Sequence, residues 1–187
     1  MQRVRSGDRR AFSELYDRNV RSVVNFAFRF VQDRARAEEL TQEIFLKLFR
    51  SAAGYQPTAR FKTYLFRIAS NHCLNERRRG EYRADQKGGS EGELDRVPAP
   101  QSQGPEEALQ GRDLEARLGV ALSRLTDRER AAFSLCRFEG LAYKEIAEAL
   151  DTSESAVKSL IHRATVAVAK ELTAVVGEDP LAAARAR

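Results

Sequence analysis

The sequence predicts an all-α protein of two small helical domains joined by a flexible linker, and three observations predict it. Apolar residues recur at spacings of three and four through residues 8–79 and again through 114–168, and nowhere alternate with the period of two that a half-buried strand needs. Between Gly80 and Gly111 this periodicity stops, in a stretch concentrating Gly, Pro, Ser, Gln and acid that cannot bury enough apolar surface to fold alone. Charge changes sign across the same break: residues 1–83 carry 18 Lys/Arg against 9 Asp/Glu, residues 84–111 carry 2 against 6, and residues 112–187 carry 12 of each. The expected organisation is a domain over 1–83, an acidic linker over 84–111, a domain over 112–176 and a disordered tail over 177–187. With 187 residues, 42% apolar and 32% charged, the composition is that of a soluble globular chain. No run of eighteen apolar residues exists to span a bilayer, and Arg3, Arg5, Arg9 and Arg10 precede no apolar segment that would make a signal peptide, so a cytoplasmic protein is expected.

In the first domain Asp8 is placed to cap a helix carrying Phe12, Leu15, Tyr16, Val20, Val23, Val24 and Ala27 on one face. Asp33 is placed to cap a second, with Ala37, Leu40, Ile44, Phe45 and Leu48. Gly54 and Pro57 interrupt the pattern, and a third helix resumes near Arg60 with Phe61, Leu65, Ile68 and Ala69 before running into Arg77-Arg78-Arg79.

The second domain begins with a helix lined by Leu114, Leu118, Leu122 and Leu125. Thr126 with Glu129 three residues on has the form of a capping box, and Gly140 suits the left-handed termination of the helix that follows. A short helix is expected over Tyr143 to Leu150, with Ile146, Ala147 and Leu150 inward. Asp151, Thr152 and Ser153 then turn the chain into a long helix with Val157, Leu160, Ile161, Ala164 and Val168 on one face and Ser155, Lys158, Ser159, His162 and Arg163 on the other. This is helix-turn-helix spacing, which presents the start of the second helix to a DNA major groove. A plain helical bundle with a solvated polar face has the same periodicity, so both readings stand at this point.

The basic first block suits a polyanion, because cations that neutralise phosphates release condensed counterions. Tyr55, Arg60, Phe61, Lys62, Tyr64, Phe66 and Arg67 interleave aromatics with cations, followed by Asn71, Asn75, Arg77, Arg78 and Arg79, so stacking on unpaired bases is chemically available. Phe61 and Phe66 suit a core equally well. Glu38, Glu39, Gln42 and Glu43 beside Phe45 form an acid-amide patch that suits protein docking better than catalysis or a metal, since no His or Asp joins it in sequence. His72 and His162 belong to no ligand cluster, and Cys73 and Cys136 each sit in an apolar-periodic stretch, so both cysteines are read as core rather than as a disulfide or a metal site. No phosphate loop or nucleophile elbow is present, and no cofactor, metal, catalytic residue or small-molecule substrate is expected.

Taken together, four segments resemble the extracytoplasmic-function (ECF) sigma factors of bacterial RNA polymerase: GDRRAFSELYDRN, AEELTQEIFLKLFR, FKTYLFRIASNHCLNERRR, and LTDRERAAFSLCRFEGLAYKEIAEALDTSESAVKSLIHRA. Their order around a variable linker, over residues 7–172, is specific to that family. The resemblance implies a non-enzymatic subunit that binds core polymerase, brings it to a limited promoter set and opens the duplex there. It implies that Glu39, Gln42 and Glu43, with Phe45 beside them, dock the clamp helices of the largest subunit. It implies that the loop from Gln56 to Tyr64, including Arg60, Phe61 and Lys62, captures a base flipped from the upstream minus-ten element, while Arg67, Asn71, Asn75, Arg78 and Arg79 lie along that element. Ser153, Ser155, Lys158, Ser159, His162 and Arg163 would read the minus-thirty-five element, with the flap of the second-largest subunit as a further contact, and an anti-sigma factor is an implied partner. Three positions depart from the family pattern: Tyr64 replaces a usual Trp, Ala142 a frequent capping Ser, and Leu160 a common Arg or Lys. The rival reading is a helix-turn-helix regulator with a helical sensor domain, against which residues 1–83 show no strands, pocket glycines or phosphoacceptor Asp cluster.

Overall fold

A computed structural model describes residues 1–86 and 117–176. All regular structure among them is helical. A single turn, α1 (Gln2–Arg5), leads into α2 (Arg9–Val31) and α3 (Arg34–Arg50); a 3₁₀ turn, Ala52–Gly54, precedes α4 (Phe61–Gln86). After the undescribed stretch come α5 (residues 117–123), α6 (Asp127–Arg137), α7 (Tyr143–Leu150) and α8 (Glu154–Val176). Helix α4 runs past residue 83, the boundary that composition suggests; the rest of the expected linker, Leu114 and the expected tail 177–187 lie outside the described residues.

The helix boundaries follow local chemistry. Asp8 Oδ1 accepts the Ala11 amide at 3.0 Å and Asp33 Oδ1 accepts that of Arg36 at 2.9 Å, satisfying amides that a helix N-terminus leaves without partners. Thr126 and Glu129 close a reciprocal capping box at α6, while Gly140 takes φ +66° and lets the Leu141 amide reach back to the Leu135 carbonyl at 3.0 Å. Ala142 has no side-chain acceptor for the amides of α7. Half of a capping box survives, because Glu145 Oε2 accepts the Ala142 amide at 2.9 Å.

In the first domain α2, α3 and α4 pack around Phe26, Phe30, Leu40, Ile44, Leu48, Leu65 and Phe66, all buried. Phe26 meets Phe66 edge-on at 5.3 Å, the favourable geometry for aromatic quadrupoles. Helix α1, which the sequence pattern misses, folds Val4 against Ala11 and Ala52. In the second domain Ile146, Ala147 and Leu150 of α7 face Val157, Leu160 and Ile161 of α8, and Leu122, Leu125 and Phe133 close the other side. Phe66 and Leu65 share a continuous apolar cluster with Ile146 and Ala149, because α4 lies against α7: the two domains pack on each other.

Candidate nucleic-acid and polymerase interfaces

The acid patch of α3 is presented as the spacing requires. Glu39, Gln42 and Glu43 are exposed one turn apart, and their opposite face, Leu40, Thr41 and Ile44, is buried. The carboxylates are held rather than loose. Arg36 pairs with Glu39 at 2.7 Å and with Glu76 of α4 at 2.6 Å, bonds that raise its pKa, and His72 Nε2 lies 2.7 Å from Glu43 Oε2. His72 thus ties α4 to the patch.

Phe45 does not belong to that surface. It is 2% exposed, its ring 4.7 Å from Tyr16, because its position on α3 points into the groove with α2. The exposed apolar residues beside the acids are Leu46 and Phe49, 52% and 45% exposed. Periodicity alone could have found them, since both fall off the inward stripe that Ile44, Phe45 and Leu48 define.

On α4 the cations and amides gather on one face. Tyr64, Arg67, Asn71, Asn75 and Arg78 recur at three and four, continuing the line of Arg60 in front of the helix, and all but half-buried Tyr64 are exposed. Arg79 is exposed on the adjoining row. Tyr64 donates its hydroxyl to Ser51 Oγ at 2.9 Å, meets Tyr55 edge-on at 5.0 Å, and carries the Arg67 guanidinium 5.4 Å from its ring. Beside it a groove of about 490 Å³ is lined by Ser51, Gln56, Thr58, Thr63, Tyr64 and Arg67, and by Glu148 of α7. Tyr64 gives it an aromatic wall and Arg67 a cationic one.

Two residues of this set sit elsewhere than a free DNA surface demands. Phe61 is half-buried against the core, so its ring is packing before it is a stacking platform. Lys62 turns away from the line of α4: its Nζ donates to the Glu139 carbonyl at 2.5 Å and lies 3.3 Å from the Glu139 carboxylate.

The second domain presents a polar face at the start of α8. Asp151 adopts φ +49°, a left-handed conformation Asp tolerates, and the Thr152 amide returns to the Ala147 carbonyl at 3.0 Å, closing the tight turn between α7 and α8. Ser153 Oγ accepts the Ala156 amide at 3.2 Å and lies 2.9 Å from Ser155 Oγ, capping α8. Ser155, Lys158, Ser159, His162 and Arg163 are all exposed on one side. Arg163 is anchored by Glu129 at 2.6 Å. Leu160, the departure from the family pattern, is 8% exposed and belongs to the apolar cluster, so it leaves no gap in the polar face.

Both cysteines are free, and no group of three His, Cys, Asp or Glu among the described residues is placed to hold a metal. Burial pushes the Cys73 thiol up to about 12, and Cys136 is half-buried. Among the described residues no helix is long and apolar enough to cross a membrane.

Comparison with known proteins converges on one assignment. Residues 15–82 match the Sigma-70 region 2 family and residues 115–167 the Sigma-70 region 4 family. The RNA polymerase sigma-H factor of Pseudomonas aeruginosa is 30% identical over 95% of this chain and 94% of its own length. The chain belongs to the ECF sigma factors. It is a promoter-directing subunit, and its two folded units are the two sigma regions. The ECF sigma factor SigE of Mycolicibacterium smegmatis is 38% identical over 84% of this chain, which spans 61% of that relative. The sigma factor CarQ of Myxococcus xanthus is 31% identical over 99% of this chain and all of its own. The sigma factor RpoE of Bartonella quintana, solved in complex with the anti-sigma factor NepR, shares the fold with a TM-score of 0.69 at 21% identity, covering 87% of this chain and 97% of that one. CnrH, solved with the cytosolic domain of CnrY, shares it at 0.68 and 22% identity, covering 92% and 94%.

Proposed function

We propose that this sigma factor divides promoter opening and promoter reading between two surfaces and docks on core polymerase through a third. The observation that carries the reading is the continuous exposed face of Arg60, Arg67, Asn71, Asn75 and Arg78 beside the Tyr64 groove. A single strand drawn along it meets cations for its phosphates, amides for its base edges and a recess for one unstacked base. Unstacking costs a few kcal/mol, and aromatic stacking at about 1–3 kcal/mol per base together with the cationic contacts offsets it. Arg78 and Arg79 extend the cationic track past the groove.

The face of α8 carrying Ser153, Ser155, Lys158, Ser159, His162 and Arg163 enters the major groove of the upstream element. Each well-placed base contact there discriminates by about 1–3 kcal/mol. Because region 4 is electrically balanced, two weak readers held on one polymerase supply affinity that neither has alone. Glu39, Gln42 and Glu43, with Leu46 and Phe49 in place of Phe45, form the core-docking surface: an apolar centre with an acidic rim suits a basic helical partner. The chain does no chemistry of its own, needs no cofactor and acts in the cytoplasm. Region boundaries near residues 83 and 112 leave the acidic segment between them as the tether. An anti-sigma factor is the partner that holds it inactive, a reading supported by the complex of RpoE with the anti-sigma factor NepR, whose fold this chain shares.

Tyr64→Ala and Asn71→Ala test the melting surface. Both are expected to keep closed-complex formation and lose permanganate reactivity of promoter thymines; reactivity at the wild-type level would place strand capture elsewhere.

A further inference from the structure

Helix α1 lies ahead of residue 15, where the match to the region 2 family begins, yet it reaches the loop that leads into α4. Four residues are far too few to hold a helix in water unaided, so α1 depends on what fixes it. Gly7 adopts φ +89°, which glycine takes at little cost, and reverses the chain between α1 and α2. The Gly7 amide returns to the Val4 carbonyl at 2.9 Å, the Asp8 amide to that of Arg3 at 3.0 Å, and the Arg3 guanidinium pairs with the Asp8 carboxylate at 2.8 Å. Asp8 also caps α2, so α1 is fastened to the start of that helix. Folded back in this way, it packs Val4, 4% exposed, against Ala11 and Ala52. Arg5 Nη1 donates to the Tyr55 carbonyl at 3.4 Å.

Tyr55 is the buried anchor of an otherwise open loop. Of residues 53–60 it alone is buried, at 6% exposure, while Gln56, Pro57, Thr58 and Arg60 face solvent. Its ring meets that of Tyr64 edge-on at 5.0 Å, and Tyr64 donates to Ser51 Oγ, which is itself bonded to the Leu48 carbonyl at 3.0 Å. The Tyr64 ring therefore has two supports: one from the end of α3 through Ser51, and one from α1 through Tyr55.

We propose that α1 is a strut for the base-capturing loop, with Val4 and Arg5 as positioning residues that set Tyr55, and through it the Tyr64 ring, before DNA arrives. The proposal rests on the reading of the Tyr64 groove as the recess for an unstacked base. Val4 acts by packing beneath the 3₁₀ turn at Ala52, and Arg5 by holding the carbonyl three residues later. Neither residue lines the groove, so each acts through the loop and not on the base. A loop already held in its binding geometry loses less conformational freedom when the base enters, so the strut favours the open complex over the closed one.

The test uses the full chain and reads loop order and promoter opening separately. Hydrogen exchange followed by mass spectrometry on Arg5→Ala and on Val4→Ala should show faster exchange in peptides covering residues 52–60, with α3 unchanged; exchange there at the wild-type rate overturns the strut. With core polymerase and a promoter that the wild-type chain opens, both variants should form closed complexes as wild type does. Each should lower the open-to-closed ratio, read as permanganate reactivity of promoter thymines, by about fivefold, the equivalent of one hydrogen bond. Arg5→Lys, which keeps a donor, should recover part of the loss, and Arg9→Ala, at an exposed cation of α2, should match wild type. If Arg5 instead met a phosphate, Arg5→Ala would lower the salt slope of binding by about one and Val4→Ala would have no effect, and that pair of results overturns the positioning role. Looser exchange with undiminished opening overturns it too, where Tyr64→Ala loses opening. If Tyr64→Ala also opens the promoter normally, the base-capture reading is the failed premise, and the strut falls with it.

Discussion

The buried guanidinium of Arg130 joins α5 to α6 in region 4. Its side chain is 3% exposed: Nε donates to the Leu122 carbonyl at 2.8 Å, Nη2 to those of Ser123 and Leu125 at 3.0 Å each, and Nη1 to Asp127 Oδ1 at 3.2 Å. Those carbonyls lie in the last turn of α5 and in the turn that follows it, so one guanidinium terminates α5 and fastens it to α6. Arg130→Met keeps the apolar stem and removes every one of these bonds. Hydrogen bonds from a charged donor contribute about 1.5–3 kcal/mol each, but removing the guanidinium also removes its desolvation cost, so the sum does not apply. Dismantling one partner of a buried charge network costs about 3–5 kcal/mol. For a chain of this size each kcal/mol lowers Tm by about 2–4 °C, so calorimetry should find the unfolding transition of the whole chain about 6–20 °C lower. Arg130→Lys, lacking the planar fork, should recover only part of the loss, and Arg128→Met, at an exposed neighbour, should stay within about 0.5 kcal/mol of wild type. A loss below about 1 kcal/mol for Arg130→Met would refute this account of how region 4 is held.

Three further outcomes follow from the same geometry. Glu39→Lys with Glu43→Lys should abolish co-purification with core polymerase while circular dichroism stays unchanged, since both carboxylates are exposed and their pairs with Arg36 and His72 are surface pairs; retained association would move the docking face. Lys158→Ala should lower the salt slope of upstream-element binding by about one if it meets phosphate, or relax preference at one base position if it meets a base edge, and no change in either would remove it from the interface. Burial raises the Glu129 pKa, but bonds from Arg163 and Thr126 outweigh it and leave the carboxyl below its ordinary 4.5. A depressed folded pKa means stabilisation present above 4.5 and lost as pH falls through the folded value, so Glu129→Gln should flatten the acid limb of the stability curve, and an unchanged limb would show the pair contributes nothing.

Most of the fold is legible in the sequence because the signals are local. Asp8, Asp33 and the Thr126–Glu129 pair mark helix starts by side-chain chemistry that acts within three residues, and the inward stripes of α7 and α8 follow from period alone. What the sequence leaves unread is whatever depends on the partner surface. Phe45 stands among exposed acids, yet its direction into the α2–α3 groove is set by Tyr16, and Leu46 and Phe49 take its place on the surface. Leu160 looks like a lost DNA contact only until α7 is seen to cover it. Lys62 fits a phosphate contact by type and position, but its engagement with Glu139 joins residues 77 apart, which no periodicity encodes.

Run-off transcription with purified core polymerase and this chain on sheared genomic templates, with the RNA 5′ ends sequenced, tests the central claim most directly. The account predicts discrete start sites absent with core alone, each preceded by a shared pair of motifs at constant spacing. Starts no different from those of core polymerase alone would contradict it.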